Sequence, residues 1–262
     1  MTGPEAAAED AAGTTCDAFL GGRLRLWQPR RGYRAAIDPV LLAAFSPADA
    51  GARVLDLGCG AGAAGLCLAA RVPGIELHGL ELQPDYAALA RRNGVENAMP
   101  MTVHEGDLRR PPAALRALAF DLVLANPPFH PAAGASPAAD PGRDRAQREG
   151  EADLADWIAA GLRRLRPGGV LALVHLTTRL PGILAALDGR AGATEILPLA
   201  ARADRAAARL LVRARKGART PLTLHPPLVL HRGVAHKGDG ESFTMTAQEV
   251  LRGGAGLLIG SS

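Results

Sequence analysis

Lysine and cysteine are scarce in this chain of 262 residues. Lysine occurs only at positions 216 and 237, so nearly all of the positive charge is arginine. The three cysteines, Cys16, Cys59 and Cys67, include no CxxC pair, and an odd number does not suit a disulfide framework. We therefore expect reduced thiols and a cytoplasmic protein.

Long apolar runs are also missing. No run approaches the roughly 20 residues that a membrane helix needs, so we expect no membrane association. The first 13 residues are rich in alanine and lack a basic start and an apolar stretch, so they do not predict a secretory signal. Aromatic residues make up only 3% of the chain, but hydrophobic residues make up 48%, which is enough to bury a sizeable core.

The positive charge is concentrated in two runs of the sequence. The formal net charge is +4, which permits a nucleic-acid partner without proving one. The first run lies beside Trp27 and Tyr33, and aromatic rings beside arginines could stack a base and hold phosphates. The alternative is that these are ordinary solvated faces. The two runs are Arg23, Arg25, Arg30, Arg31 and Arg34, and then Arg202, Arg205, Arg209, Arg213, Arg215, Lys216 and Arg219.

Short apolar runs alternate with helical stretches from residue 53 onward. The apolar runs predict strands at 54–57, 75–81, 101–104, 120–125 and 170–176. The clearest helix has the stripe Leu154, Ile158, Leu162 and Leu165 and should end at Pro167-Gly-Gly. This alternation predicts an α/β fold with a mostly parallel sheet and helices on both faces, which binds ligands at the carboxyl ends of its strands.

Four segments are predicted along the chain. Residues 1–18 should form a flexible tail, and 19–50 a hairpin and a helix in which Asp38 caps the helix and Pro39 takes the first helical position. Residues 51–219 should form the ligand-binding domain. Residues 220–262 should extend this domain with further β structure. The β segments predicted from residue 210 onward are 210–214 and 222–230. The stretch 130–151 should be a long loop.

A glycine-rich loop follows the first strand of the predicted domain. Val54-Leu-Asp-Leu-Gly-Cys-Gly-Ala-Gly places Asp56 at the strand end and Gly58, Gly60 and Gly62 in the turn, where glycine lets a ligand approach the backbone. The same loop contains a literal GxGxxG at 60–65, and Glu81 lies about twenty residues further on, where the ribose of either S-adenosylmethionine (SAM) or NAD would need a carboxylate. Asp56 favours SAM, because it would attract an amino group and repel a pyrophosphate.

Two further motifs follow the third and fourth strands. Asp107, in Glu105-Gly-Asp-Leu, could accept from the adenine amino group of SAM or could be a turn residue. Asn126-Pro127-Pro128-Phe129 suits a planar exocyclic amine: the Asn126 side-chain oxygen and the Pro127 carbonyl would accept its two hydrogens, and Phe129 would stack on its ring. Alone, the tetrad could simply end a strand. Beside the glycine loop it indicates amino-group methylation and disfavours a dehydrogenase, and this positioning chemistry needs no metal.

These motifs resemble the class I SAM-dependent methyltransferases of the Asn-Pro-Pro-Phe/Tyr type. More narrowly, Gln28-Pro-Arg-Arg-Gly-Tyr-Arg-Ala-Ala-Ile-Asp-Pro, with the later Arg143-Asp-Arg-Ala, Arg215-Lys-Gly and Phe243-Thr-Met-Thr stretches, is similar to the bacterial tRNA1(Val) adenine-N6 methyltransferases. The resemblance covers most of the chain from residue 19. It implies a Rossmann-like fold with a seven-stranded sheet, a monomer, and N6 of the adenosine next to the anticodon of a tRNA as substrate.

The resemblance also implies the residues of the site. SAM would be held by Asp38, Asp56, Gly58, Cys59, Gly60, Gly62, Glu81, Leu82, Asp107, Leu108 and Asn126, with Asp38 at its methionine end. RNA would be held by Arg30, Arg31, Tyr33, Arg34, Phe129 and Arg143.

Two alternative substrates share the tetrad. His130 gives Asn-Pro-Pro-Phe-His, which is similar to the ribosomal RNA guanine-N2 methyltransferases, although those usually carry a second methyltransferase-like half. Protein-glutamine methyltransferases of translation factors typically add an N-terminal helical bundle. Only about 50 residues precede the loop here, which favours a nucleic-acid substrate.

Overall fold

The computed structural model describes residues 9–10, 13–129, 152–233 and 242–257. Its strands are β1 (Glu9–Asp10), β2 (Thr14–Phe19), β3 (Leu24–Pro29), β4 (Arg53–Leu57), β5 (Glu76–Glu81), β6 (Met101–Glu105), β7 (Phe120–Ala125), β8 (Leu165–Leu176), β9 (Ala191–Ala200), β10 (Arg209–Lys216), β11 (Thr223–Leu224) and β12 (Leu228–Val229). Its α-helices are α1 (Ile37–Phe45), α2 (Ala63–Arg71), α3 (Pro84–Glu96), α4 (Ala113–Arg116), α5 (Leu154–Arg164), α6 (Leu180–Leu187) and α7 (Met245–Leu251).

The central sheet has nine strands in the order β11-β9-β10-β8-β7-β4-β5-β6, with β12 also paired to β9. Strands β6, β5, β4, β7 and β8 run parallel, and β10 runs antiparallel to both β8 and β9. Seven of the strands are long, and β11 and β12 are two-residue additions along β9. The predicted α/β fold with a mostly parallel seven-stranded sheet is confirmed, and the two short strands enlarge it.

The strand register brings the predicted site residues to one edge of the sheet. Leu57, the last residue of β4, lies opposite Leu80 of β5 and Ala125 of β7. The next residues along each strand are Gly58, Glu81 and Asn126. The glycine loop, the acidic strand end and the tetrad therefore leave the sheet side by side.

Two hydrophobic cores cover the two faces of this sheet. One contains buried residues of α1, α2, α3 and α7, and the other contains buried residues of α4, α5 and α6. Helix α5 shows why the sequence pattern works: Leu154, Ile158 and Leu162 are buried on one stripe, and Asp153 caps the helix by accepting from the Asp156 main-chain N–H. None of the described helices is long and apolar enough to cross a membrane.

The N-terminal segment forms a separate antiparallel sheet of β1, β2 and β3, followed by α1. The predicted flexible tail over 1–18 is therefore wrong for residues 9–10, which pair with β2, and for residues 14–18, which pair with β3. Residues 1–8 and 11–12 of that prediction lie outside the described residues. Burial explains why this segment forms a strand, because Thr14 and Cys16 of β2 are buried.

Three other boundaries differ from the sequence prediction. Helix α1 begins at Ile37 with Ala36 at its N-cap, so Asp38 lies inside the first turn and does not cap the helix. Strand β8 begins at Leu165, so α5 ends before Pro167. The segment 220–262 contains helix α7 as well as short strands. The long loop predicted at 130–151 lies outside the described residues.

Candidate active site

A cleft with a cavity volume of about 170 Å³ opens where β4 and β7 end. Its walls come from the segment between β3 and α1, the glycine loop and the tetrad. The predicted site residues that line it are Tyr33, Arg34, Asp38, Asp56, Gly58, Cys59, Gly60, Asn126, Pro127, Pro128 and Phe129. The sequence motifs thus meet around one space.

The glycine loop has a backbone that other residues rarely adopt. Gly58, Gly60 and Gly62 have φ angles of 66°, 53° and 88°, in the left-handed region that favours glycine. The loop is fixed from below, because the Gly58 N–H donates to the Leu80 carbonyl at 2.8 Å. Gly62 occupies the N-cap position of α2 and does not line the cleft, so its observed contribution is to turn the chain into that helix.

Asp56 is a buried carboxylate in the wall of the cleft. It is 2% exposed, and one of its oxygens accepts from the Gly65 N–H at 2.9 Å. Burial raises its pKa to about 7, and the nearby Glu81 carboxylate adds to the rise. A positively charged ligand group would relieve both effects, so this part of the wall suits a cation.

Glu81 fastens the glycine loop to the end of β5. It is 1% exposed, and its two oxygens accept from the main-chain N–H groups of Gly60 and Gln83, each at 2.8 Å. Burial raises the pKa of this carboxyl group, and these N–H donors oppose the rise. The predicted contact of Glu81 with a ribose stays a prediction, since its observed partners belong to the loop.

A second cavity lies beside the cleft and shares Gly58 with it. Leu82, Asp107 and Leu108, all predicted cofactor residues, line it together with Trp157. Arg109 pairs with Asp107 at 2.8 Å and holds the pKa of that carboxyl group below its usual range. The cavity therefore has mainly apolar walls and one ionised carboxylate that is paired with Arg109, and the predicted contact of Asp107 with an adenine amino group stays a prediction.

The tetrad is held from the N-terminal side by a tyrosine. The Asn126 side-chain Nδ2 donates to the Tyr33 hydroxyl at 2.9 Å, and the Tyr86 hydroxyl donates to the Tyr33 main-chain carbonyl at 3.0 Å. This orientation leaves the Asn126 Oδ1 as the acceptor for a substrate. Tyr33, predicted as a substrate-binding residue, therefore contacts the tetrad itself.

The remaining predicted substrate residues are arranged differently from one another. Arg34 lines the cleft but pairs with Asp17, and its guanidinium donates to the Pro29 carbonyl at 2.8 Å, so it also holds the hairpin together. Arg30 and Arg31 are exposed and lie outside the cleft wall. Arg143 and His130 lie outside the described residues.

Asp38 lines the cleft and forms an ion pair with Arg209 of β10, and its predicted contact with the methionine end of SAM stays a prediction. The ion pair links the N-terminal helix to the reversed strand of the sheet. Sequence reasoning missed several other wall residues, of which Gln28, Gln83 and Tyr86 are polar. Gln83 and Tyr86 follow the acidic strand end directly, which was the signal that could have found them.

The charged and apolar residues that line the two cavities suit SAM. Asp56 and the cleft would hold the cationic methionine end, and Leu82, Asp107 and Leu108 would hold the adenine end, with Gly58 between them. The antiparallel strand β10 also differs from the dinucleotide-binding fold, which is built from two βαβαβ halves. The dinucleotide alternative left open by the glycine loop is thus disfavoured.

Comparisons with known proteins agree with this geometry. The model of the methyltransferase small domain family matches residues 37–181. A tRNA1(Val) (adenine(37)-N6)-methyltransferase of Aeromonas hydrophila is 33% identical over 72% of this chain and 79% of its own length. A release factor glutamine methyltransferase of Geobacter sulfurreducens is 35% identical over 46% of this chain and 44% of its own length.

A solved structure also matches over most of the chain. A predicted O-methyltransferase from Agrobacterium tumefaciens is 29% identical, with a TM-score of 0.66 over 84% of this chain and 98% of its own. The family match covers more than half of the sequence and includes the glycine loop, the acidic strand end and the tetrad. The chain therefore belongs to the methyltransferase small domain family and is a class I SAM-dependent methyltransferase.

Proposed function

We propose that this methyltransferase acts on N6 of an adenosine next to the anticodon of a tRNA. The observation that carries the proposal is the tetrad at the cleft, where the Asn126 side chain is fixed by Tyr33 beside the prolines and Phe129. The name of the Aeromonas relative, with its extensive coverage, supports the choice of substrate.

The chain's own residues supply the positioning for this reaction. The lone pair of an exocyclic amine is delocalised into its ring, so the amine is a weak nucleophile. If the Asn126 Oδ1 and the Pro127 carbonyl accept its two hydrogens, the nitrogen is held in the pyramidal form that can attack. Phe129, which lines the cleft, offers the face on which the base stacks. SAM supplies the electrophilic methyl group when it is bound.

A second candidate is N5 methylation of a protein glutamine. The observation that favours it is the match to the release factor glutamine methyltransferase, whose name indicates a side-chain amide as the acceptor. This match covers less than half of either chain. The match to the tRNA1(Val) (adenine(37)-N6)-methyltransferase supports RNA instead, because it extends over 72% of this chain.

Transfer of labelled methyl from SAM tests the proposal directly. The purified protein is incubated with unmodified tRNA, with ribosomal RNA and with a release factor, and label is counted in each. We expect label in tRNA. Label confined to the release factor would support the glutamine alternative and contradict the proposal.

The Asn126→Ala variant tests the role of the tetrad. We expect at least a hundredfold loss of kcat, equivalent to about 3 kcal/mol of transition-state stabilisation, because one of the two acceptors for the amine is removed. SAM affinity, measured by calorimetry, should change much less than kcat, because Asn126 is one of many predicted SAM contacts and Asp56 and Asp107 remain. A variant that keeps full turnover would exclude Asn126 from catalysis.

A further inference from the structure

His175 lies on β8, next to the strand that ends in the tetrad. Leu173 of β8 lies opposite Ala125 of β7, so His175, two residues further along, reaches the edge where the tetrad leaves the sheet. The side chain is 2% exposed and belongs to neither of the two cavity walls described above. A buried polar ring at this place needs hydrogen-bond partners.

Each nitrogen of the His175 ring faces a main-chain group. The main-chain N–H of Leu176 donates to Nδ1 at 2.8 Å, so in the neutral ring the proton is on Nε2. The main chain of Pro128 lies close enough to this ring to raise its pKa by hydrogen bonding. Proline has no N–H, so the partner is its carbonyl oxygen, and Nε2 is the nitrogen that can donate to it. The imidazole thus bridges β8 and the tetrad.

The same ring also contacts the stacking residue of the tetrad. The centroids of the His175 and Phe129 rings are 5.3 Å apart, and the ring planes are tilted by 59°. This separation lies in the range where aromatic pairs attract each other. One side chain therefore touches two consecutive tetrad residues, the carbonyl of Pro128 and the ring of Phe129.

The surroundings of His175 keep its ring neutral. Burial lowers its pKa to about 4, and the positive charge of Arg179 lowers it further, while the hydrogen bond to Pro128 opposes them. A protonated ring would place a second N–H against the Leu176 N–H. The neutral form is the one that preserves the bridge.

We propose that His175 is a positioning residue that holds the tetrad in its working shape through Pro128 and Phe129. It does not touch the substrate, and the inference rests on the proposed role of the tetrad in binding the amine. Fixing the Pro128 carbonyl and the Phe129 ring limits the directions in which Asn126 and Pro127 can present their oxygens. The expected loss on removal is in kcat rather than in SAM affinity.

Two replacements separate this role from simple packing. His175→Phe keeps an aromatic ring against Phe129 but removes the donor to Pro128, and His175→Gln restores a side-chain N–H. We expect kcat to fall about tenfold or more in His175→Phe, with partial recovery in His175→Gln and SAM affinity within about twofold of the wild type. His225→Phe, at a partly buried histidine that pairs with Glu195 away from the cleft, is the matched control and should keep its kcat.

The kinetic result is measured on whichever acceptor the wild-type protein methylates, so it does not depend on the acceptor being tRNA. Unchanged kcat in His175→Phe would overturn the proposal, and so would equal losses of kcat and SAM affinity that glutamine does not reverse. Nitrogen NMR of the wild-type ring needs no acceptor at all. It should show the Nε2-protonated tautomer without titration between about pH 5.5 and 8, and the other tautomer or titration near the ordinary histidine value would contradict the bridge.

Discussion

Asp56 shows how one buried carboxylate can prepare a cleft for a cationic ligand. Its pKa of about 7 in the folded protein lies above the ordinary value of 3.8, so the stability it contributes is fully present below pH 3.8 and is lost as the pH rises through about 7. A bound cation would compensate for the charge. The stability of the protein should therefore depend on pH in one way when the cleft is empty and in another when a cation is bound.

The affinity for SAM should fall as the pH drops below about 7. Below this value the ligand-free protein carries a proton on Asp56 that must leave before the carboxylate can pair with the amino group, so affinity should fall by about tenfold per pH unit. Calorimetry between pH 6 and 8 measures this dependence, and Asp56→Asn should remove it. Asp107→Asn is the control, because Arg109 keeps Asp107 ionised throughout, so this variant should bind more weakly with the same pH dependence. A pH-independent wild type would refute the role of Asp56.

At the scale of elements, Asn93 joins the N-terminal hairpin to the cofactor loop. It lies on α3 and is fully buried. Its Oδ1 accepts from the Trp27 N–H at 2.7 Å, and its Nδ2 donates to the carbonyls of Trp27 at 3.0 Å and Ala61 at 2.9 Å. One amide therefore satisfies groups on β3 and on the glycine loop, which explains how a separate small sheet is held against the cleft.

Removing this amide should destabilise the protein more than removing its exposed counterpart. Asn93→Ala leaves buried polar groups of Trp27 and Ala61 without partners, and we expect a loss of about 3 kcal/mol in the free energy of unfolding. Asn97→Ala is the matched control: Asn97 makes a similar pair of bonds with the main chain of Arg25, but in a more exposed place, and we expect about 1 kcal/mol. Urea unfolding of both variants measures the difference, and equal losses would contradict the linking role.

The strands that sequence reasoning found are those with clear apolar runs, and the ones it missed have physical reasons. β7 was predicted with the limits it has in the structure, because Phe120–Ala125 is apolar apart from Asp121 and is buried on both faces of the sheet. β9 was not predicted, because Gly192 and Pro198 interrupt its apolar pattern. Glycine and proline within a run weaken the prediction of a strand. The N-terminal strand β2 was assigned to a tail because its pairing with β3 is a long-range choice that local sequence does not show.

The positions of site residues were predictable where a motif sits at a strand end, because the sheet itself aligns those ends. Gly58 and Asn126 met around the cleft for this reason. The contacts between distant segments were not predictable: Tyr33 with Asn126, Asp38 with Arg209, and His175 with the tetrad all depend on packing that no local pattern encodes.

At the scale of the whole molecule, the second arginine-rich run is largely used inside the fold. Arg213 pairs with Glu195 and stacks on Phe45, and Arg215 and Lys216 donate to main-chain carbonyls of the β8 segment. This run therefore serves packing more than an RNA surface. The exposed arginines next to the cleft segment, Arg30 and Arg31, remain predicted RNA contacts. The predicted monomer and cytoplasmic location also stay predictions.

Reversing one of these charges should weaken RNA binding without affecting the cofactor. We expect Arg31→Glu to raise the KM for tRNA about fivefold to tenfold, to make this KM less dependent on salt, and to leave SAM affinity unchanged. Arg163→Glu is the control, because Arg163 is also exposed but lies in the last turn of α5, just before β8 begins at the opposite edge of the sheet. Equal effects of both variants would indicate general charge attraction and no defined contact at Arg31.

Nucleoside mass spectrometry of methylated tRNA tests the central claim most directly. Unmodified tRNA is treated with the protein and SAM, digested to nucleosides and compared with tRNA treated with Asn126→Ala. The account predicts N6-methyladenosine, localised by fragment analysis to the position next to the anticodon, and none with the variant. A methylated guanosine, or no methylated nucleoside while a release factor accepts the methyl group, would contradict it.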